Sequence, residues 1–363
     1  MNKKIKIILW AFFIGLIVIA TWSLMPMKSL QNSESENTED IDSDLIVVGF
    51  SQLGSESDWR SANTKSIQNA LTKENGFSLI FSNGRQSQEN QIKDVRSFIF
   101  QEVDYIIIAP VTETGWDTVL NEAREAGIPV IILDRMIDTE DESLYVASVG
   151  TDKYAEGKTA GLWLEKYLKE QKSGYDALQE NDPFSEVTLQ DESGQNTDII
   201  NIVVLEGTLN STAQIGRSKG FEDIAVLHEN WNILAFENGD FTKAKGKEVM
   251  LKYLQKFDDI DILVSQNDDM TFGAIEAIQE AGLKCGVNGK IKVISFDAVS
   301  KAFDMMEAGL INVDIECNPL QGPRIAQIIE CLEKGEAFEK ISYVKEQVFE
   351  AKDAGIERFA RSY

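Results

Sequence analysis

Polar side chains follow the apolar strands of this sequence, and the pair Asp134-Arg135 is the clearest example. It comes directly after the buried run Val130–Leu133. A carboxylate accepts hydrogen bonds and a guanidinium donates them in a planar fork, so the pair suits a small solute with several hydroxyl groups. In open parallel sheets, ligands bind beyond the carboxyl ends of the strands, which is where this pair falls.

The same arrangement recurs at other predicted strand ends. Polar residues follow the strands that end at Phe50, Leu205, Val264 and Phe296. Two aromatic side chains among them are suited to cover the apolar face of a sugar ring. The candidate sugar-binding residues are therefore Trp59, Arg60, Asp134, Arg135, Arg217, Phe241, Asn267 and Asp297.

Each of these side chains also has a purely structural interpretation. Asp134 and Asp297 could cap the turns that follow them, and Asn267 could cap the helix beside it. Trp59 could belong to the core, and Arg217 to a solvated helix face. Their coincidence at strand ends favours a binding site instead. In that case, loss of Arg217 should abolish binding with little loss of stability.

Strands and helices alternate along the chain from Asp44 to Gly150, and the alternation restarts after Gly150. Such alternation indicates right-handed βαβ units and parallel sheets. Two successive patterns of similar size predict an α/β protein with two doubly wound lobes and a cleft between them. A helix over 154–168 is followed by the polar, acidic stretch Lys169–Asp198, which we predict to be an inserted surface loop. The pattern also predicts a helix over 241–257 and one last strand over 343–349.

Composition excludes several classes of function. The chain has 363 residues and a formal net charge of -25, which argues against binding nucleic acid. It has one histidine, His228, and three cysteines without metal-site spacing, so we expect no metal and no cofactor. A disulfide between Cys285 and Cys331 is conceivable. We expect no enzyme, because an arginine near Asp134 and near Asp297 should keep both carboxylates ionised and deny a glycosidase its general acid.

The N-terminus predicts export. Lysines at 3, 4 and 6 precede an uncharged apolar run over 7–25, which is about the length that spans a bilayer. Residues 1–28 are therefore either a cleaved signal peptide or an uncleaved anchor to the membrane. Residues 29–43 are polar and acidic and predict a flexible tether. The rest of the chain is expected outside the cytoplasm, in the periplasm or at the outer face of the membrane.

Several of these motifs resemble one known family. Val48–Arg60, Ala109–Trp116, Ile132–Arg135, Gly207–Arg217 and Ser265–Met270 resemble the galactofuranose-binding branch of the bacterial sugar-binding proteins of ABC transporters. The wider ribose-binding group shares the pair Asp240-Phe241 and Asp297. The resemblance covers about residues 45–350 and implies the type I periplasmic-binding fold, with three chain crossovers that form a hinge.

The resemblance also implies roles and boundaries. It assigns Trp59 to ring stacking, Phe241 to the opposite face, and the charged and amide residues above to hydroxyl groups, and it adds Glu56 and Asn318. The expected lobes are 44–150 with 318–345, and 151–317 with 346–363. The implied function is a monomer that captures a monosaccharide and delivers it to an ABC permease. The alternative is an anchored sensor that presents the sugar to a histidine kinase or chemoreceptor.

Overall fold

The computed structural model describes residues 45–180, 199–360 and 363, with no side-chain detail for 172–180 and 360. The expected signal peptide or anchor, the tether and most of the acidic insertion lie outside these residues. None of the helices within the described ranges combines the length and the apolar character needed to cross a bilayer.

The first lobe is built on a six-stranded sheet in the order β11-β5-β4-β3-β1-β2, in which every neighbouring pair is parallel. Its strands are β1 (Ile46–Gln52), β2 (Phe77–Asn83), β3 (Tyr105–Ile108), β4 (Val130–Asp134), β5 (Ala147–Gly150) and β11 (Ile341–Tyr343).

The second lobe repeats this plan with the order β12-β10-β9-β8-β6-β7, and only the edge strand β12 is antiparallel. Its strands are β6 (Ile200–Glu206), β7 (Trp231–Asn238), β8 (Ile262–Ser265), β9 (Lys292–Asp297), β10 (Val313–Glu316) and β12 (Val348–Glu350).

Helices cover both sheets. In chain order they are α1 (Asp58–Ala70), α2 (Gln88–Phe100), α3 (Asp117–Glu125), α4 (Lys153–Glu180), α5 (Thr212–Ala225), α6 (Lys243–Lys256), α7 (Asp268–Glu280), α8 (Ser300–Glu307), α9 (Gly322–Lys334) and α10 (Ala354–Glu357). Successive side chains of a strand point to opposite faces, and both faces are buried here. In β3, Ile107 packs into one core cluster while Ile106 and Ile108 pack into another.

The chain passes between the lobes three times, as the family resemblance implied. The crossovers connect β5 to α4, β10 to α9, and β11 to β12. They run side by side, since Val344 N donates to Gly150 O at 2.9 Å and Glu316 N donates to Gln347 O at 2.9 Å. After the second crossover, α9 packs closely on α1: a Cβ at Gly322 would lie 2.1 Å from the Ser66 carbonyl oxygen. The residue boundaries of the two lobes stay predictions.

The structure differs from the sequence analysis in five respects. Strand β5 was not predicted, and the single strand expected over 343–349 is divided between β11 and β12, one in each sheet. Helix α4 continues to Glu180, beyond the expected start of the loop at Lys169. Phe241 precedes α6 with a φ of 58°, because Thr242 caps that helix. The Cys285–Cys331 disulfide is not formed, as all three cysteines are free.

Candidate functional site

A polar cavity lies between the two lobes, where the carboxyl ends of their strands face each other. The space open to the centres of water molecules is only about 20 Å³, so the walls lie close together. It is lined by Glu56, Ser57, Trp59, Arg60, Asp134, Arg135, Lys153, Ala213, Arg217, Phe241, Asn267, Asp297 and Cys317. Nine of the ten side chains predicted from the sequence are therefore brought together.

Both lobes contribute to this cavity. The first lobe supplies residues from the start of α1 and the end of β4, and the second supplies residues from α5 and the ends of β8 and β9. The walls are closed over the cavity by hydrogen bonds between the lobes. Met136 N donates to Thr212 Oγ1 at 2.8 Å, and Asp58 N donates to Asp269 Oδ2 at 2.9 Å.

Asp134 ends β4 in the left-handed region, with a φ of 63°, which is uncommon for a residue with a side chain. Arg60 Nη2 donates to its Oδ2 at 2.7 Å, and Lys153 Nζ lies 3.1 Å from its Oδ1. Burial opposes ionisation of this carboxyl group, but the charges of Lys153, Arg60 and Arg135 hold its pKa well below the ordinary value. Asp134 is therefore an ionised hydrogen-bond acceptor and not only a turn cap.

Arg135 lies across the cavity from the second lobe, and its guanidinium is 5.4 Å from the centroid of the Phe241 ring. Its Nη1 donates to the Val111 carbonyl at 2.9 Å. Burial, together with the charge of Arg60, lowers its pKa to about 10. Within the part of the chain that the structure describes, its buried Nε has no hydrogen-bond partner.

Arg217 is buried, so the alternative of a solvated helix residue is wrong. Its Nε donates to Glu156 Oε2 at 2.6 Å, its Nη2 donates to Asp297 Oδ1 at 3.2 Å, and its Nη1 donates to the Gln266 carbonyl. Burial opposes its charge, but Glu156 and Asp297 raise its pKa. Because its loss would deprive the buried Glu156 carboxylate of its closest cationic partner, we expect a large loss of stability instead of a small one.

Asp297 ends β9 with a φ of 106°. Burial raises the pKa of Asp297 well above the ordinary value. The positive charge of Arg217 lowers this pKa, and the nearby Asp268 raises it further. A neighbouring arginine therefore lowers the pKa of both site aspartates, as expected, but at Asp297 burial outweighs it. The two carboxyl groups differ because Asp134 has three cationic neighbours and Asp297 has another aspartate close by.

Two aromatic side chains, Trp59 and Phe241, line the cavity. Trp59 is only 4% exposed, belongs to a core cluster and donates from its indole nitrogen to the Cys317 carbonyl, so it is both core and cavity wall. Phe241 packs on Gly207, where an added Cβ would lie 1.8 Å from the ring. Only glycine at 207 leaves room for the ring in this position.

Asn267 both caps a helix and lines the cavity. Its Oδ1 accepts from Met270 N at 2.9 Å and caps α7, while its Nδ2 donates to the Phe241 carbonyl at 3.2 Å. Glu56 accepts from Arg60 Nε at 3.1 Å. Within the described ranges, Glu56 Oε2 and Arg60 Nη1 are buried without a partner. They leave an acceptor and a donor for hydroxyl groups of a ligand.

The prediction that Asn318 binds the sugar needs correction, because this residue does not line the cavity. Its Nδ2 donates to the Lys345 carbonyl at 3.4 Å, and its Oδ1 accepts from Leu320 N at 2.9 Å. It therefore joins the second and third crossovers. The preceding residue, Cys317, faces the cavity instead.

Sequence reasoning missed Lys153 and Cys317. Lys153 follows β5, and a search for polar residues after strand ends would have found it if that strand had been recognised. Its Nζ lies 2.9 Å from Cys317 Sγ and 3.1 Å from Asp134 Oδ1. The possible ligand atoms of Glu156, Cys317 and Glu346 lie within 4.8 Å of one another, but the adjacent Lys153 ammonium disfavours a metal ion there.

Two parallel-sheet lobes that enclose a polar cavity at facing strand ends, joined by three crossovers, define a substrate-binding protein of the periplasmic type. The chain belongs to the periplasmic binding protein domain family, whose model matches residues 48–330. This confirms the family and the fold class that the sequence motifs predicted.

The relatives are sugar-binding proteins. The galactofuranose-binding protein YtfQ of Escherichia coli is 38% identical over 308 residues, which are 84% of this chain and 87% of that protein. The arabinose-transporter binding protein from Shewanella sp. ANA-3, solved with α- and β-L-arabinofuranose, is 37% identical, with a TM-score of 0.76 over 87% of this chain and 95% of that one. A Mycobacterium smegmatis protein in complex with β-D-fucofuranose is 37% identical, with a TM-score of 0.76 over 86% and 93%.

Proposed function

We propose that this chain captures a neutral monosaccharide in its furanose form between the two lobes and delivers it to an ABC permease outside the cytoplasm. The observation on which this rests is a cavity to which both lobes bring charged, amide and aromatic side chains. The named ligands of the relatives support the furanose ring. The Shewanella relative is the binding component of an arabinose ABC transporter, which supports delivery to a permease over the sensory alternative.

The pairing of charges in the cavity favours a neutral ligand. Arg60 pairs with Glu56 and Asp134, and Arg217 pairs with Glu156 and Asp297. Lys153 likewise pairs with Asp134. Arg135 forms no ion pair among the described residues, but the charges of Glu56 and Asp134 act on it. A sugar acid or sugar phosphate would need several unpaired cations, whereas hydroxyl groups can use the remaining hydrogen-bonding positions of paired groups.

Binding is coupled to closure of the lobes. Because the cavity walls come from both lobes, a sugar makes its full set of contacts only when the lobes are closed, and this difference drives closure. The hydrogen bonds Met136 N to Thr212 Oγ1 and Asp58 N to Asp269 Oδ2 must break for the sugar to enter or leave. No catalytic step is part of this function, in keeping with the binding proteins to which the chain is similar.

A monosaccharide screen tests the proposal. The purified chain is heated with L-arabinose, D-fructose, D-galactose or D-ribose, and sugars that raise the melting temperature are measured by titration calorimetry. We expect at least one neutral sugar with a substantial furanose fraction to bind at one site, and D-galacturonate, as the charged control, not to bind. The proposal is refuted if the galacturonate binds and every neutral sugar fails. Co-purification with permease subunits, rather than with a kinase ectodomain, tests delivery.

A further inference from the structure

Lys153 carries a buried ammonium group where α4 begins, next to the first crossover. The residue is only 4% exposed, and it lines the cavity. Its Nζ lies 3.1 Å from Asp134 Oδ1, 2.9 Å from Cys317 Sγ and 3.6 Å from Glu156 Oε1. The ammonium group therefore contacts the first lobe, the second crossover and α4 at one wall of the cavity.

The hydrogen-bond donors of Lys153 are poorly used within the protein. Burial alone would lower its pKa, but the charges of Asp134 and Glu156 raise it, so the group stays protonated and has three N–H donors. One N–H meets the Cys317 sulfur, which is only a weak acceptor. Glu156 Oε1 lies at 3.6 Å and already accepts from Thr151 Oγ1 at 2.6 Å. Lys153 therefore has a donor available for a better acceptor than sulfur.

Asp134 has the matching acceptor. Its Oδ2 accepts from Arg60 Nη2 at 2.7 Å, but within the described ranges its buried Oδ1 has no hydrogen-bond partner. Lys153 Nζ is 3.1 Å from this Oδ1, so the two charges attract each other without forming a hydrogen bond. A buried acceptor without a partner costs stability. A ligand group that donates to Oδ1 would remove this cost.

A hydroxyl group both donates and accepts hydrogen bonds, and its oxygen is a better acceptor than a thiol sulfur. We propose that Lys153 is a specificity-determining residue of the cavity, and that one hydroxyl group of the sugar accepts from Lys153 Nζ and donates to Asp134 Oδ1. The proposal rests on the proposed function. The four-carbon stem of Lys153 is flexible, so Nζ exchanges the Cys317 sulfur for the hydroxyl oxygen when the sugar enters between the close walls.

This contact selects for a hydroxyl group at one position of the sugar. A hydrogen atom or a methyl group in that place leaves both Lys153 and Asp134 without their partner, and a fluorine atom cannot donate to Asp134. Hydrogen bonds to ionised groups are the strong ones. A sugar that lacks the contacted hydroxyl group should therefore bind about 10- to 100-fold more weakly than its parent.

Lys153→Met tests the contact, because methionine is similar in length to lysine but has no donor. The probes are L-arabinose, D-fructose, D-galactose and D-ribose and, for each one that binds, the analogues that lack a single hydroxyl group. Affinities for the full chain are measured by titration calorimetry. We expect Lys153→Met to bind the parent sugar about 10- to 100-fold more weakly than the wild type does. It should bind the analogue without the contacted hydroxyl group about as well as the wild type does. Lys158→Met, exposed on the same helix, is the matched control and should bind every probe as the wild type does.

Cys317→Ser is a second variant that keeps Lys153 and its ion pairs. A serine hydroxyl is a stronger acceptor than the thiol, so it should compete with the sugar for the Lys153 donor. We expect it to weaken the parent sugar by a factor of roughly 2 to 10 and to have little effect on the analogue without the contacted hydroxyl group. This variant carries the test if Lys153→Met does not fold.

The pattern across the analogues separates a direct contact from a structural effect. If Lys153 only holds Asp134 in place or stabilises the fold, Lys153→Met weakens every analogue as much as the parent sugar, and the proposed contact is overturned. The same conclusion follows if sugars bind and Lys153→Met has the affinity of the wild type for all of them. If none of the four sugars binds to the wild type, the proposed function fails and the contact fails with it.

Discussion

Replacement of Arg217 by alanine should destabilise the protein strongly as well as abolish sugar binding. Arg217 is 2% exposed, and it pairs with Glu156 at 2.6 Å and with Asp297 at 3.2 Å. Removing one partner of a buried ion pair costs about 3–5 kcal/mol, because an uncompensated charge stays buried. At about 2–4 °C per kcal/mol for a large domain, the melting temperature should fall by on the order of 6–20 °C.

The structure provides a matched control for this prediction. Arg96 also pairs through Nε and Nη2, in its case with the two oxygens of Glu122 at 2.7 Å each, but its side chain is 52% exposed. Exposed pairs contribute little, so Arg96→Ala should leave the free energy of unfolding nearly unchanged. Both variants are compared with the wild type by urea unfolding and thermal melting.

A second substitution tests the cause. Adding Glu156→Gln to Arg217→Ala removes the carboxylate that has lost its closest cationic partner and should recover part of the lost stability. The sugar should still not bind, because the donors of the guanidinium are absent from the cavity wall. If Arg217→Ala is as stable as Arg96→Ala, or the second substitution lowers stability further, the buried charge is not the source of the loss and the reasoning is wrong.

Three further outcomes are expected. Trp59→Ala should weaken sugar binding by removing a cavity wall, and the tryptophan fluorescence of the wild type should shift on titration with a sugar that binds. The pKa of Asp134 is lowered in the folded protein. The stabilisation by its ionised form is therefore present above about pH 3.9 and is lost as the pH falls below that value. In acid unfolding, Asp134→Asn should not show this loss of stability. Gly207→Ala should displace Phe241 and weaken sugar binding, because the new Cβ would lie 1.8 Å from the ring. Gly355→Ala is the control: its new Cβ would have its nearest neighbour at 4.0 Å, so this variant should bind as the wild type does.

Most of the fold follows from local patterns in the sequence. Apolar runs such as Tyr105–Ile108 are buried on both faces, which only a sheet covered by helices on both sides provides. The pattern was insufficient for the short strands. Ala147–Gly150 has too few large apolar residues to be recognised, and 343–349 looks like one strand although the chain crosses between the lobes in the middle of it.

The cavity was largely predictable because strand ends converge by geometry. Any polar residue directly after a strand of a parallel sheet lies at the same edge as its counterparts, and this rule identified Asp134, Arg135 and Asp297. Asn318 was placed wrongly, because the irregular crossover after β10 has no periodicity from which to infer where a side chain points. Lys153 was missed for the related reason that its strand was not recognised.

The sequence alone determined the family, the two-lobed α/β architecture and the types of side chain available to a sugar, because these depend on local pattern and motif. Only the tertiary structure decided how the charges pair and in which direction each pKa shifts. It places Lys153 against Asp134 and Glu346 against Glu156, residues far apart in the chain. A pKa depends on burial and on charges within a few ångströms, and neither exists before the chain has folded.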